Sequence, residues 1–208
     1  MYRPTAFQED NVDKLVAFMR ANSFATLVSI VDGVPCASHV PLVTKVQEGV
    51  IQLIGHLAKP NSQWQAFETV ESLAIFTGAH AYISPALYEK HENVPTWNYI
   101  AVHAYGIPKV ITLNHSPESM DRMINEMIDT YEADYKSHWH GLSDGYRQGM
   151  MNGIVGFEMT VTRLEGKYKL SQNRSQTDQE TVSTALLQSS DPAIRAVGEE
   201  MSQNLWVD

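Results

Sequence analysis

The chain closes an apolar run, Val50 to Ile54, with Gly55-His56-Leu57-Ala58-Lys59-Pro60-Asn61-Ser62-Gln63-Trp64, residue types that together can hold an anion. The run reads as a buried strand, and a glycine at its end lets backbone come close to a ligand. Pro60 suits the first turn of a following helix, whose free N–H groups attract phosphate. His56 and Lys59 add side-chain donors and charge. A strand followed by a proline-initiated helix needs no ligand, however, and Lys59 reads equally well as a solvated turn residue. Two more polar-tipped segments follow apolar strands: Ala37-Ser38-His39-Val40-Pro41-Leu42 and Lys167-Tyr168-Lys169-Leu170-Ser171-Gln172-Asn173-Arg174. Strands distant in sequence meet in a barrel, so the three segments can surround one flat, phosphorylated ligand.

Other chemistries find less support. The eight histidines include His138-Trp139-His140, His80 and His103, but the chain has no cysteine pair and no His-Glu-x-x-His helix, so no metal centre is expected. Gly-x-Ser-x-Gly, phosphate-loop and Gly-x-Gly-x-x-Gly patterns are absent, which removes the usual basis for hydrolase, nucleotidase and Rossmann readings. His39 and His80 stand as acid or base candidates only because histidine titrates near neutral pH.

The elements that must position these residues begin with a helix from Asn11 to about Arg20, capped by Asp10, with Val12, Leu15, Val16 and Met19 at helical spacing. Phe24 to Val31 and Pro35 to Thr44 then read as a hairpin turned at Asp32-Gly33. Further strands are expected over Val50–Leu57, Leu73–Ser84, Asn98–Ile111 and Val155–Leu164, a meander that suggests a small closed barrel. Gly78 and Gly106 mark bends in its wall or places of close ligand approach. Ser116-Pro117-Glu118 starts a helix whose stripe of Met120, Met123, Ile124, Met127, Ile128 and Tyr131 is expected to pack as core. Tyr135 to His138 reads as a polar surface loop. Helices are expected from about Gln176 to Gln188 and from Asp191-Pro192 onward.

With 208 residues the chain can bury roughly 70% of its unfolded surface. We therefore expect a single domain over residues 1–208, with a helical insertion at about 116–135 and C-terminal helices at about 176–204. No apolar run reaches the roughly 18 residues of a membrane span, and no signal-peptide core follows Met1, so a cytoplasmic location is expected. The one cysteine, Cys36, is expected to be a buried structural thiol. A net charge of −9 places nucleic-acid binding at a disadvantage, and the nearest approach to a basic cluster is Arg163, Lys167, Lys169 and Arg174. The helix beginning at Ser116 is acidic and offers no basic recognition face.

Six segments in order along the chain carry a resemblance: Met1-Tyr2-x-Pro4-x-x-Phe7, His39-Val40-Pro41-Leu42, Gly55 to Gln63, Phe76-x-Gly78-x-His80-Ala81-Tyr82-Ile83-Ser84-Pro85, Val94-Pro95-Thr96-Trp97-Asn98-Tyr99 and Lys169-Leu170-Ser171-Gln172-Asn173. Together the sequence resembles the PaiB-type FMN-binding negative transcriptional regulators over nearly its whole length. The resemblance implies a mainly β protein with peripheral helices, built on an FMN-binding split β-barrel of the pyridoxamine-phosphate oxidase kind, and a homodimer with FMN near the subunit interface. It places Ser38, His39 and Val40 along the flavin. It places Gly55, His56, Lys59 and Asn61 at the phosphate, with Gln63 closing the same cofactor-binding segment. Gln172 and Asn173 come from the last segment, from either subunit, and Trp97 and Tyr99 lie near the ring or in interface core. The function implied is repression of sporulation and degradative-enzyme genes, with DNA contact unsupported by charge. The alternative is an FMN-dependent oxidoreductase, a flavin reductase or small-molecule oxidase, that does not bind DNA directly.

Overall fold

The computed structural model describes residues 1–205; residues 206–208, part of the expected domain, lie outside the described residues. Ten strands and six α-helices form in chain order. The strands are β1 (Gln8–Glu9), β2 (Phe24–Val31), β3 (Val34–Pro41), β4 (Val43–Gln47), β5 (Val50–Ala58), β6 (Ser72–Ile83), β7 (Thr96–Gly106), β8 (Pro108–Ile111), β9 (Ile154–Thr160) and β10 (Arg163–Lys169). The helices are α1 (Val12–Ala21), α2 (Pro117–Tyr131), α3 (Tyr135–Gly141), α4 (Asp144–Asn152), α5 (Gln176–Leu187) and α6 (Pro192–Leu205). Two compact units result: one of Met1–Leu15, Thr77–Val102 and the chain from Glu165, the other of Val16–Phe76 and His103–Leu164.

The second unit holds the β2–β3 hairpin, joined in antiparallel register from Phe24↔Pro41 to Val31↔Val34. Its turn works because Asp32 and Gly33 both take positive φ, 51° and 79°, the backbone that matches strand twist in a two-residue loop. The start of β6 pairs with the other side of β2, Thr26 facing Ile75. A separate sheet runs in the order β4-β5-β9-β8. The expected barrel does not form, because no sheet closes on itself: β3, β4 and β8 are sheet edges in this unit and β1 is one in the other.

The sequence reading missed where strands change sheets. Pro35 to Thr44 is two strands, broken at Leu42, whose N–H makes one last hairpin contact, donating to Ser23 O at 2.8 Å, before the chain joins the other sheet as β4. Asn98 to Ile111 breaks between Gly106 and Pro108, and Val155 to Leu164 breaks at Val161–Thr162, where Thr162 N–H donates to Tyr105 O at 2.9 Å. Proline supplies no ladder donor, so Pro41 and Pro108 sit at natural corners. Gly106 is needed there because a Cβ would lie 2.2 Å from Thr160 O, so the close approach it permits is to the chain's own backbone.

The helices are not peripheral. Met120, Met123 and Ile128 of α2 are buried with Val43, Ile54, Ile111, Trp139 and Met151, with Ile124 and Met127 packed against them, so the methionine stripe is part of this unit's core, but Tyr131 at its end is exposed. The segment read as a surface loop is α3, and Trp139 turns it inward. Helices occupy nearly as many residues as strands, so "mainly β" understates them. Cys36 is only half-buried because β3 is an edge strand.

The first unit orders its strands β1-β10-β7-β6, with Gln8 opposite Lys167. Asn11 rather than Asp10 caps α1, its Oδ1 accepting from Lys14 N–H at 3.1 Å, while Asp10 pairs with Arg3 at 2.8 Å. Helices α5 and α6 pack at Gly198, where Ser183 Oγ donates to the Gly198 carbonyl at 3.1 Å. Among the described residues no helix is long and apolar enough to cross a membrane.

Candidate functional site

Alternation along β3 sends neighbouring side chains to opposite faces. Ser38 is half-buried and His39 exposed, so the two side chains cannot line one surface. His39 Nδ1 lies 3.0 Å from Thr26 Oγ1, its partner across the hairpin, and its ring stacks on Phe24 at 6.4 Å. Val40 is buried and offers a ligand only its backbone.

Ser38 is instead joined to the segment after β5. Asn61 Nδ2 donates to Ser38 Oγ at 2.8 Å, and Asn61 Oδ1 accepts from Gln63 N–H at 3.0 Å. Because its oxygen accepts from Asn61, the Ser38 hydroxyl keeps its own proton to donate. Lys59 is exposed beside this bridge; its N–H donates to Gly153 O at 2.9 Å, and its carbonyl accepts from Trp64 Nε1 at 3.0 Å, so the backbone at the cation is fixed. Gln63 has no exposed surface: its Nε2 donates to Leu27 O at 2.9 Å and Ser29 Oγ at 3.1 Å, and Ser29 Oγ lies 2.8 Å from Ser72 Oγ. Gln63 Oε1 is buried without a hydrogen-bond partner. This Gln63–Ser29–Ser72 brace was missed by sequence reasoning, since polar residues inside strands carry no periodic signal.

Three features of the expected anion site are different in the fold. No α-helix follows Pro60; a five-residue 3₁₀ turn, Ser62–Ala66, follows Asn61, and the N–H of its second residue, Gln63, is already used by the Asn61 side chain. The space at Gly55 is taken by the protein, since a Cβ would lie 2.8 Å from Leu42 Cδ2, 3.1 Å from Pro41 O and 3.2 Å from Phe157 Cζ. His56 sits with Nδ1 3.4 Å from Met127 Sδ, and burial pushes its pKa below the ordinary histidine value, so it is neutral rather than an added cation.

In the first unit, Gln172 is consumed locally: Leu170 N–H donates to its Oε1 at 2.7 Å, and its Nε2 donates to Tyr168 O at 2.5 Å. Asn173 is exposed and borders a cavity of about 180 Å³ with Phe7, Thr96, Asn98, Lys169 and Arg174. On the opposite face of β7, Trp97 and Tyr99 line a separate groove of about 310 Å³ with His80. Trp97 is 52% exposed, and its ring centroid lies 5.9 Å from those of both His80 and Tyr82. The basic cluster is not a continuous stripe, for Arg163 pairs with Glu71 at 3.4 Å and Lys167 is buried. No group of three or more His, Cys, Asp or Glu among the described residues is arranged to hold a metal ion.

A flavin phosphate needs a cation and aligned donors, and the donor set at Ser38, Lys59 and Asn61 fits that need: one ammonium, one hydroxyl with a free proton and a fixed backbone.

The comparisons with known proteins point to the same cofactor class. Residues 1–163 match the family described as "Putative FMN-binding domain". The protease synthase and sporulation protein PAI 2 of Bacillus subtilis is 37% identical over 99% of this chain and 98% of its own. In fold, the chain resembles the flavocytochrome Anf3 of Azotobacter vinelandii, with a TM-score of 0.62 at 12% identity over 81% of this chain and 72% of that one. It also resembles the FAD and heme binding protein of Mycobacterium smegmatis, with a TM-score of 0.55 at 15% identity over 78% and 73% of the two chains. The end-to-end match in sequence and the family match over most of the chain lead to one conclusion: this protein belongs to the PaiB-type family of FMN-binding proteins.

Proposed function

We propose that the protein works as an FMN-loaded homodimer in negative control of transcription, in the physiological territory for which PAI 2 is named, protease synthesis and sporulation. The observation that carries the reading is the 37% identity to PAI 2 over essentially the whole of both chains. In this reading Lys59, Ser38 and Asn61 hold the phosphate, the backbone at Val40 runs beside the flavin, and Gln63 and Gly55 keep the strands in place behind them. Bound FMN supplies one- and two-electron redox chemistry, and the protein's share is to orient and shield it. The exposed, paired or buried state of Arg163 and Lys167 favours regulation through a protein partner or the dimer's surface over a basic stripe laid on DNA.

Titrating flavin-free protein with FMN, followed by flavin fluorescence, tests the first half; saturation at about one FMN per chain is expected, and none at high concentration overturns it. Light scattering reports the dimer. A gel shift at several salt concentrations tests DNA contact, since direct phosphate binding weakens steeply with salt.

The open aromatic groove beside Trp97 and His80 favours a second reading, an oxidoreductase in which a flat donor or acceptor stacks there. Anaerobic bleaching of bound flavin by NADH or NADPH, followed by reoxidation with an acceptor, would select that reading.

A further inference from the structure

Cations held partly out of water in this chain are paired with carboxylates, with one cluster as the exception. Arg3, Lys14, Lys45, Lys136 and Arg147 are half-buried, and each contacts a carboxylate: Asp10, Glu9, Glu126, Asp129 and Asp144. Lys167, Lys169 and Arg174 are also buried or half-buried, yet among the described residues none of them has a carboxylate within ion-pair distance. In a protein of net charge −9 this is not for want of acids.

Their neighbours are neutral. Lys169 donates to Thr96 Oγ1 and the Trp97 carbonyl, which leaves one ammonium hydrogen. Arg174 donates to Asn93 Oδ1 at 2.7 Å and lies 4.3 Å from the Tyr88 ring centroid, with donors to spare on its five-hydrogen fork. Lys167 lies between the Tyr2 and Tyr99 rings at 5.6 and 5.2 Å. Burial, then Lys167, then Arg174 lower the pKa of Lys169, as expected of cations gathered without a counter-charge.

Two of the three cations line a real space. The cavity of about 180 Å³ has Lys169 and Arg174 on its wall with Thr96, Asn98, Ser171 and Asn173, and no acidic residue. Asn98 is fully buried, its Nδ2 2.9 Å from Ser171 Oγ. Ser171 itself is held at φ +68°, left-handed backbone that is strained for a non-glycine residue and clusters at functional sites. The space admits a tetrahedral oxyanion with a few waters, each taking about 30 Å³.

We propose that this cavity is an oxyanion site that binds the phosphate group of a small ligand. The aromatic groove lies on the other face of β7, because Thr96 and Asn98 alternate with Trp97 and Tyr99. A flavin ring stacked on Trp97 therefore has the strand between itself and the cavity. The phosphate is either that of FMN bound in another pose or that of a separate phosphorylated metabolite, and the site's chemistry is the same for both.

The test uses the full-length protein and three titrants, inorganic phosphate, FMN and riboflavin, against wild type, Lys169→Met, Arg174→Gln and Lys59→Met. Circular dichroism and thermal melting verify that each variant is folded, and Asn173→Ala is held in reserve should Lys169→Met fail to fold. Calorimetry is expected to show phosphate binding to wild type that weakens about tenfold or more on loss of either cavity cation. If FMN binding falls in parallel while riboflavin binding does not, the flavin's phosphate is the occupant; if FMN binding is unchanged, the occupant is a separate phosphorylated molecule. Both results support the site. Phosphate binding that is absent, or unchanged in Lys169→Met and Arg174→Gln, overturns it. Lys59→Met reports on the flavin assignment of the second unit, so failure of one assignment is read independently of the other.

Discussion

Two polar regions of this molecule solve opposite electrostatic problems. Around Ser38, Asn61 and Gln63 most side-chain groups bond one another: Asn61 bridges Ser38 and the Gln63 N–H, Gln63 braces Leu27 and Ser29 with its Oε1 left unpartnered, and the neighbouring cation, Lys59, stands in solvent. From Lys167 to Arg174 the cations are drawn partly out of water and surrounded by rings, amides and hydroxyls. The first arrangement is stable as it stands and can add a ligand at its rim. The second carries an unmet positive potential that an anion would relieve. Polar residue types alone would have ranked the two alike; burial and pairing separate them.

Breaking the self-satisfied region should have the largest effect. Gln63→Ala leaves a void and removes the donor to Leu27 O and Ser29 Oγ, and a loss of about 2–4 kcal/mol in urea-denaturation stability is expected. A loss below about 0.5 kcal/mol would mean the brace is not structural. Asn61→Ala removes the cap and the bridge together; about 1–2 kcal/mol of stability and a several-fold weaker FMN affinity are expected. Equal affinity for FMN would dissociate Ser38 and Asn61 from the flavin site.

Lys59→Ala sharpens the contrast by acting on binding alone. FMN affinity should fall about tenfold with the melting temperature unchanged and riboflavin affinity unaffected, because an exposed cation supports the ligand rather than the fold. A matching loss for riboflavin would place Lys59 at the ring instead of the phosphate.

The smallest effect concerns pH. His56 has a folded-state pKa below its unfolded value, so the unfolded chain takes up the proton first as pH falls. The stability associated with a neutral His56 is complete above the ordinary histidine value of about 6.5 and is lost progressively as pH drops through the lower folded-state value. His56→Gln should flatten the stability profile in that window; an unchanged slope would show that other groups govern it.

Local patterns made much of the fold legible. Asp32-Gly33 announced the β2–β3 turn, Ser116-Pro117 announced α2, and Asp191 caps α6 through Ala193 N–H at 2.8 Å. What failed was the length of strands. Continuous apolar stretches concealed corners at Leu42, Gly106–Pro108 and Val161–Thr162, because periodicity reports which residues are apolar and not which sheet their backbone joins. The closed barrel was lost with those corners, each of which moves a strand into a different ladder.

The candidate site shows the same division. Sequence by itself established the family, through motifs spread from Met1 to Asn173, and with the family its FMN cofactor. It offered Ser38 for the flavin and Lys59 and Asn61 for its phosphate, and the fold joins Ser38 to Asn61. Only tertiary structure decided that Gln63 and Gln172 spend their amides on the protein's own backbone, that Gly55 makes room for Leu42 and Phe157, and that His56 is neutral. Those outcomes depend on what lies within a few ångströms across the fold. Hydrogen bonding, packing and pKa are all set at that range, which the linear spacing of residues does not encode.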